Sequence, residues 1–139
     1  MAQVKFRFAL PAERSPESRR QALEFGETGE QIASRYLEEQ GCVVLERHYR
    51  SAHKELDIIV LDHGEIAVVE VKTRSDDALV SPEEAVDHRK RQNIIRVANN
   101  YIRRHHRSEP LRFDIIAIVK NEKETRINHI KNAFNVFNY

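Results

Sequence analysis

The sequence predicts an α/β fold in which a mixed β-sheet of about five strands is flanked by helices. Amphipathic helical stretches and β-rich stretches alternate in the order helix, three strands, helix, two strands. The second helix is long enough to serve as a right-handed crossover between strands of one sheet. A chain of 139 residues, of which 40% are apolar, has the size and composition that form one hydrophobic core.

The N-terminal part divides into an extension and a first helix. Residues 1–20 mix prolines, serines and alternating charges without a sustained period, so we expect a poorly ordered extension before a single domain over residues 21–139. From Ala22, apolar or small residues recur at spacings of three and four until a glycine stop, which predicts an amphipathic helix. Gly26 and Gly29 lie on its buried stripe, where a missing side chain lets another backbone come close.

Three strands are predicted next, over residues 42–48, 55–61 and 65–73, because these stretches are rich in Ile and Val. Cys42 opens the first of them beside apolar neighbours and is expected to be buried. The turn between the second and third strands contains Gly64, which tolerates the positive φ of a tight hairpin.

A second helix and two further strands complete the predicted domain. Ser81 is followed by a proline and, at the third helical position, a glutamate, which together predict a capped helix start. This long helix is expected to end near His105, and the last two strands to cover residues 111–119 and 126–134.

Composition argues against several classes of protein. No apolar run approaches the roughly 20 residues that span a bilayer, so we expect no membrane role. The N-terminus lacks the apolar core and cleavage site of a secretory signal, which predicts a cytoplasmic protein. Cys42 is the only cysteine, so neither an intrachain disulfide nor a cysteine-rich zinc site can form.

The stretch KELDIIVLDHGEIAVVEVKTR carries the chemistry. A two-residue hairpin loop at His63 and Gly64 would place Asp57 opposite Glu70, and Lys72 on the same strand face as Glu70. Two facing carboxylates repel each other, and Mg²⁺ or Mn²⁺ would offset that repulsion, with the backbone carbonyl of Val71 as a further ligand. Lys72 would then lie beside the metal, where its ammonium could hold an attacking water or offset charge on a phosphate.

An alternative interpretation is that these residues are ordinary charges on a solvated sheet face. Lys72 would then pair with Glu55 across the strands. Against this, Glu70 interrupts an apolar run, and a carboxylate buried in such a strand is costly unless it is paired or bound to a cation.

These motifs also resemble a known superfamily. Glu30 on the first helix, the ELD motif with Asp57, and the EVK motif with Glu70 and Lys72 resemble the PD-(D/E)xK nucleases. The closer resemblance is to the small bacterial YraN family, which is distantly similar to archaeal Holliday junction resolvases. It covers about residues 24–120 through five segments in order: GETGEQIASRYLEEQG, KELDIIVLD, VVEVKTR, AVDHRKRQNIIRVANNYI and LRFDIIAIV.

The resemblance implies a restriction-endonuclease-like fold with Asp57 and Glu70 as metal ligands and Lys72 as catalytic lysine. Glu30 would be an accessory catalytic acid carried by the helix; a plain surface acid is the alternative, and Glu27 is a weaker candidate for the role. The chain departs from the usual family pattern twice. It has Lys54 where relatives commonly have glycine, and His48 where they often have asparagine.

The second helix is strongly basic and is predicted to contact a nucleic acid. Lys90, Arg89 and Arg96 are the candidate binding residues, since such side chains bind phosphates; a solvated helix face is the alternative. Arg112 and Asp114 are interpreted as a structural ion pair or as an outer contribution to the site, not as catalytic residues.

The leading hypothesis is a Mg²⁺- or Mn²⁺-dependent endonuclease that acts on DNA in preference to RNA, including branched or structured DNA. A nucleic-acid-binding module with a nuclease scaffold but no turnover is the main alternative, and a protein-interaction subunit is a third. Resolvase-like chemistry would favour a two-fold homodimer, because a junction presents paired strands.

Overall fold

The structure is a computed structural model that describes residues 2–9, 28–74 and 86–135. It contains strands β1 to β6 and helices α1 and α2. In chain order they are β1 (Ala2–Ala9), α1 (Gly29–Glu39), β2 (Val43–Ser51), β3 (Lys54–Asp62), β4 (Glu65–Arg74), α2 (His88–Arg104), β5 (Leu111–Lys120) and β6 (Glu124–Phe134).

The strands form one mixed sheet in the order β1-β6-β5-β4-β3-β2. Only β4 and β5 are parallel, and every other neighbouring pair is antiparallel. Helix α2 lies between β4 and β5 in the chain, as a crossover between parallel neighbours requires. The predicted α/β fold with a mixed sheet is therefore confirmed, as are the five predicted strands.

Each described helix covers one side of the sheet. On the α1 face, Ile32, Ala33 and Leu37 pack in a core that includes Ile58 and Val60 of β3. On the α2 face, the buried side of α2 packs in a second core with residues of five strands. The strand residues of this core include Leu56, Ile59, Ile66, Val68, Phe113, Ile115, Ile130 and Phe134. Cys42 is buried in the α1-face core, as predicted, although it lies just before β2.

The predicted hairpin register between β3 and β4 is confirmed from Asp62↔Glu65 to Ile58↔Val69. The turn has φ of 47° at His63 and 90° at Gly64. Two consecutive residues with positive φ make the tight turn whose twist matches that of antiparallel strands. This turn sets the register of both strands up to the candidate site.

Residues 2–9 correct the prediction for the N-terminus. They form strand β1, which pairs antiparallel with β6 over eight residues, whereas we expected a poorly ordered extension over residues 1–20. The stretch VKFRFA alternates apolar and basic residues with a period of two, a strand signal that the prolines and charges after it obscured. Residues 10–20 lie outside the described residues.

The helix starts also differ from prediction. Helix α1 begins at Gly29 after a capping box formed by Thr28 and Gln31, and the predicted start at Ala22 lies outside the described residues. Helix α2 begins at His88, capped by Asp87, whereas we expected one long helix from Ser81; the predicted Ser81 cap lies outside the described residues. The Asp87 carboxylate accepts a hydrogen bond from the Lys90 N–H at 2.9 Å, which starts a new helix there.

No helix among the described residues has the length and apolar character needed to cross a membrane.

Candidate metal and phosphate site

The candidate site lies where the alternation of side chains between the two faces of the sheet is interrupted in β2 and β3. Leu56 packs in the α2-face core but Ile58 in the α1-face core, so the alternation along β3 breaks at Asp57. The β2 residues flanking His48 pair with the β3 residues flanking Asp57, which places His48 opposite Asp57. His48 has a φ of 53°, a left-handed conformation that Asn, Asp and His adopt more readily than most residues.

Strands β3 and β4 separate at this point. Their backbone pairing ends at Ile58↔Val69, and one residue further on the Asp57 carboxylate accepts a hydrogen bond from the Val71 N–H at 2.8 Å. In an extended strand the N–H and C=O of one residue point to the same side. The Val71 carbonyl therefore lies on the β3 side as well, toward Asp57.

Asp57 and Glu70 form an acidic pair in which one carboxylate is buried and the other half-buried. Glu70 is only 4% exposed, and Asp57 is half-buried. Burial raises the pKa of Glu70, and the neighbouring Asp57 charge raises it further. Burial likewise raises the pKa of Asp57, and Glu30 adds to the effect, although the Val71 N–H opposes it. The two carboxylates thus cost free energy when both are ionised without a nearby cation.

Two lysines supply positive charge to this pair. Lys90 Nζ lies 2.6 Å from Glu70 Oε1, and Lys72 Nζ lies 3.7 Å from the same oxygen. Burial and then Lys90 lower the pKa of Lys72. Although burial opposes it, the contact with Glu70 raises the pKa of Lys90. Two carboxylates and two ammonium groups therefore form one charge-balanced group, which we call the four-charge cluster.

Glu30 lies next to this cluster and contacts His48, the residue opposite Asp57. The His48 ring lies between two carboxylates, with Nε2 2.8 Å from Glu30 Oε2 and Nδ1 2.6 Å from Glu55 Oε1. The hydrogen bond with Glu55 is the largest cause that raises the pKa of His48, and the Glu30 charge adds to it. Glu55 also accepts a hydrogen bond from Arg50. Glu55 therefore pairs with His48 and Arg50, and not with Lys72 as the alternative interpretation expected.

The donor set fits a hard divalent cation held partly by water. Among the described residues, no group of three or more His, Cys, Asp or Glu side chains is placed to hold a metal ion. The candidate metal ligands are therefore the carboxylates of Asp57 and Glu70 and the backbone carbonyl of Val71, which all bind through oxygen. Mg²⁺ usually binds through one or two carboxylates and keeps several waters or substrate phosphates, so this set suits Mg²⁺ or Mn²⁺.

Residues 29–118 match the family described as "Uncharacterised protein family UPF0102". A UPF0102 protein of Bacteroides thetaiotaomicron is 43% identical over 111 residues, which cover 80% of this chain and 92% of the relative. One from Persephonella marina is 43% identical over 112 residues, covering 80% and 93% of the two chains. The chain belongs to the UPF0102 family. This is the YraN-type family that the motifs resemble, and it belongs to the restriction-endonuclease-like superfamily.

Both departures of this UPF0102 protein from the usual pattern lie beside the four-charge cluster. His48 holds Glu30 and Glu55 together, as described above. Lys54 is exposed and lines a pocket of about 410 Å³ on the α2 face, together with Arg89 and Lys90. A second pocket, of about 750 Å³, opens on the α1 face beside Glu30 and His48. The cluster is therefore flanked by a pocket on each face of the sheet.

The predicted site residues of this UPF0102 protein do not all come together. Asp57, Glu70, Lys72 and Lys90 form the cluster, and Glu30 adjoins it. Arg89 lines the adjacent pocket, whereas Arg96 lies about two turns further along the exposed side of α2. The weaker candidate Glu27 lies outside the described residues.

Sequence reasoning missed two contacts in this UPF0102 protein. The ion pair of Lys90 with Glu70 depends on how α2 packs on the sheet, and the bridge from His48 to Glu30 depends on how α1 packs; neither packing leaves a local signal. The interpretation of Arg112 and Asp114 as a structural ion pair is confirmed, because Arg112 Nε donates to Asp114 Oδ1 at 3.1 Å in a buried network away from the cluster.

Proposed function

We propose that this protein is a metal-dependent endonuclease that hydrolyses phosphodiester bonds in DNA, including branched or structured DNA. The observation that carries the proposal is the four-charge cluster. A largely buried carboxylate pair beside two lysines, at the point where two strands separate, is costly for folding and suited to metal-assisted phosphoryl chemistry.

Three residues of the cluster, with the neighbouring Val71 carbonyl, have roles in the proposed chemistry. Asp57, Glu70 and the Val71 carbonyl would hold Mg²⁺ or Mn²⁺. When bound, such an ion polarises a phosphoryl oxygen and lowers the pKa of a coordinated water. Lys72 is partly buried beside Glu70, so its ammonium is held where it can orient a water or offset negative charge on the phosphate.

The surroundings of the cluster support a polyanionic substrate. Lys54, Arg89 and Lys90 line one pocket at the cluster, and the exposed side of α2 continues with Arg96. Phosphate contacts of this kind position a nucleic acid without reading its sequence, so we expect binding that weakens as salt rises. A preference for DNA over RNA and a two-fold homodimer stay predictions.

The test is a cleavage assay with purified protein, Mn²⁺, and a panel of junction, flap, duplex and single-stranded DNA beside an RNA duplex. We expect cleavage of at least one DNA form, and a loss of about a hundredfold or more in Glu70→Gln and Lys72→Met. Glu65→Gln is the matched control, because Glu65 lies on the same strand at the hairpin end and is exposed.

The alternative is a nucleic-acid-binding module without turnover, which the exposed basic residues of α2 also support. Salt-sensitive binding of DNA by folded wild-type protein, with every DNA and RNA form left intact in Mn²⁺ and Mg²⁺, would establish this alternative over the nuclease.

A further inference from the structure

The Lys90 ammonium contacts the carboxylate oxygen that a divalent cation would need. Lys90 Nζ lies 2.6 Å from Glu70 Oε1, closer than Lys72 Nζ at 3.7 Å. The Glu70 side chain is only 5% exposed, so few other groups can reach that oxygen. An ammonium and a metal ion cannot both contact one oxygen from the same side, so the two cations compete for Glu70.

Lys90 has both an anchored backbone and room to move. Its N–H donates to the Asp87 cap, so the start of α2 holds its main chain in place. Its side chain is 43% exposed, and a flexible four-carbon chain carries its ammonium group. The pocket that it shares with Lys54 and Arg89 offers a second position for the ammonium. Glu55 and Asp87 also line this pocket, but Glu55 is bonded to His48 and Arg50, and Asp87 accepts the Lys90 N–H.

We propose that Lys90 is an exchangeable counter-ion of Glu70, which nucleic-acid phosphate draws into the pocket lined by Lys54 and Arg89, so that substrate binding and divalent-metal binding favour each other. This proposal rests on the proposed function, because it takes Asp57 and Glu70 to be the metal ligands. It adds a regulation of that site: the metal binds tightly only when a phosphate backbone is present to accept Lys90.

Charge balance supports the coupling. With Lys90 on Glu70, the cluster is balanced, and adding a divalent cation would leave an excess of positive charge. Once Lys90 contacts a phosphate, Lys72 is the one ammonium group left in the cluster, and Asp57 and Glu70 regain affinity for a second cation. Thermodynamic linkage requires the effect to be reciprocal, and couplings of this kind usually change affinity by between about fivefold and 150-fold.

The first test measures Mn²⁺ affinity by calorimetry for full-length wild-type protein and for Lys90→Gln, without nucleic acid. We expect Lys90→Gln to bind Mn²⁺ at least about fivefold more tightly, and Lys90→Arg, which keeps a cation there, to stay near wild type. Arg104→Gln is the matched control, since it removes an exposed charge from the last turn of α2, outside the pocket; we expect less than about a twofold change.

The second test repeats the titration with a short DNA duplex that carries phosphorothioate links, at a concentration that saturates the protein in a gel-shift assay. The duplex is expected to raise the Mn²⁺ affinity of wild type and to leave that of Lys90→Gln nearly unchanged.

Equal Mn²⁺ affinity in wild type and Lys90→Gln would overturn this inference and leave the proposed nuclease standing. No Mn²⁺ binding by any folded variant, with or without the duplex, would overturn the inference together with the metal site of the proposed function.

Discussion

Asp57 and Glu70 show at the level of single residues how a site can work against the stability of the fold that carries it. Burial raises the pKa of both carboxyl groups, and the charge of Asp57 raises the pKa of Glu70 further. A carboxyl group with a raised pKa in the folded state stabilises the fold below its ordinary pKa, and this contribution is lost as pH rises through the folded-state value.

Asp57→Asn is therefore expected to raise the melting temperature by a few degrees near neutral pH. The amide oxygen can still accept the Val71 N–H, while the buried charge is removed. The gain over wild type should disappear below pH 3.8, the ordinary pKa of the group, because the raised pKa keeps the folded-state carboxyl group protonated there. Thermal unfolding of both proteins across this pH range checks the expectation, and a gain that is the same at both pH values would contradict it.

Residue identity alone predicted part of this arrangement. Asp57 and Glu70 are predicted to face each other because a two-residue turn sets the hairpin register, and that register is confirmed as far as Ile58↔Val69. That Asp57 lies where β3 changes face could not be predicted, since it depends on the left-handed backbone of His48 on the neighbouring strand. The place of Lys90 on Glu70 depends on a contact between α2 and β4 that no spacing in the sequence indicates.

At the level of elements, the fit of α1 against β4 positions Glu30. A Cβ atom added at Gly29 would lie 1.8 Å from Thr73 Oγ1, too close for two heavy atoms that are not bonded. Glycine lets the first turn of α1 approach the end of β4, and Glu30 follows directly. Sequence analysis predicted a close approach at Gly29; the nearest atoms belong to the Thr73 side chain rather than to a backbone.

Gly29→Ala is expected to lower the free energy of unfolding by about 1–3 kcal/mol, because the added methyl group forces Thr73 or the helix to move. Thr73→Ala in the same chain should recover most of this loss, since the nearest remaining side-chain atom, Thr73 Cβ, is 3.1 Å away. Urea unfolding of both single variants and the double variant measures the coupling. Effects that simply add would show that the two residues do not determine this contact.

Across the whole molecule, a buried polar network ties four elements together on the side of the sheet that α1 covers. Arg112 of β5 contacts Asp62 of β3 and Asp114 of its own strand. Asp114 contacts His129 of β6 at 2.8 Å, and His129 contacts the Tyr36 hydroxyl of α1 at 2.9 Å. Asp114 pairs with Val69, the residue before Glu70, yet no described contact joins this network to the four-charge cluster. Structural support and proposed chemistry are therefore adjacent in the sheet but rest on separate contacts.

The contribution of this network to the free energy of unfolding should depend on pH through the Asp62 carboxyl group. Although burial acts to raise it, hydrogen bonds from His63 and Arg112 lower the pKa of Asp62 from 3.8 to about 2. Asp62 therefore stabilises the fold above pH 3.8, and this contribution is lost as pH falls toward about 2.

Asp62→Asn should lower the free energy of unfolding by at most about 2 kcal/mol near neutral pH, because the exposed His63 partner is screened by solvent. The difference from wild type should narrow near about pH 3. Urea unfolding at the two pH values measures it, and a difference that does not narrow would assign the effect to packing instead of charge.

Binding of Mn²⁺ to Asp57 and Glu70 is the central claim, and anomalous diffraction from crystals grown with Mn²⁺ tests it most directly. The account predicts one strong peak between these two carboxylates, about 2.1 Å from an oxygen of each, which is absent in Glu70→Gln crystals. A map with no peak there at saturating Mn²⁺, or with the peak unchanged in Glu70→Gln, would contradict it.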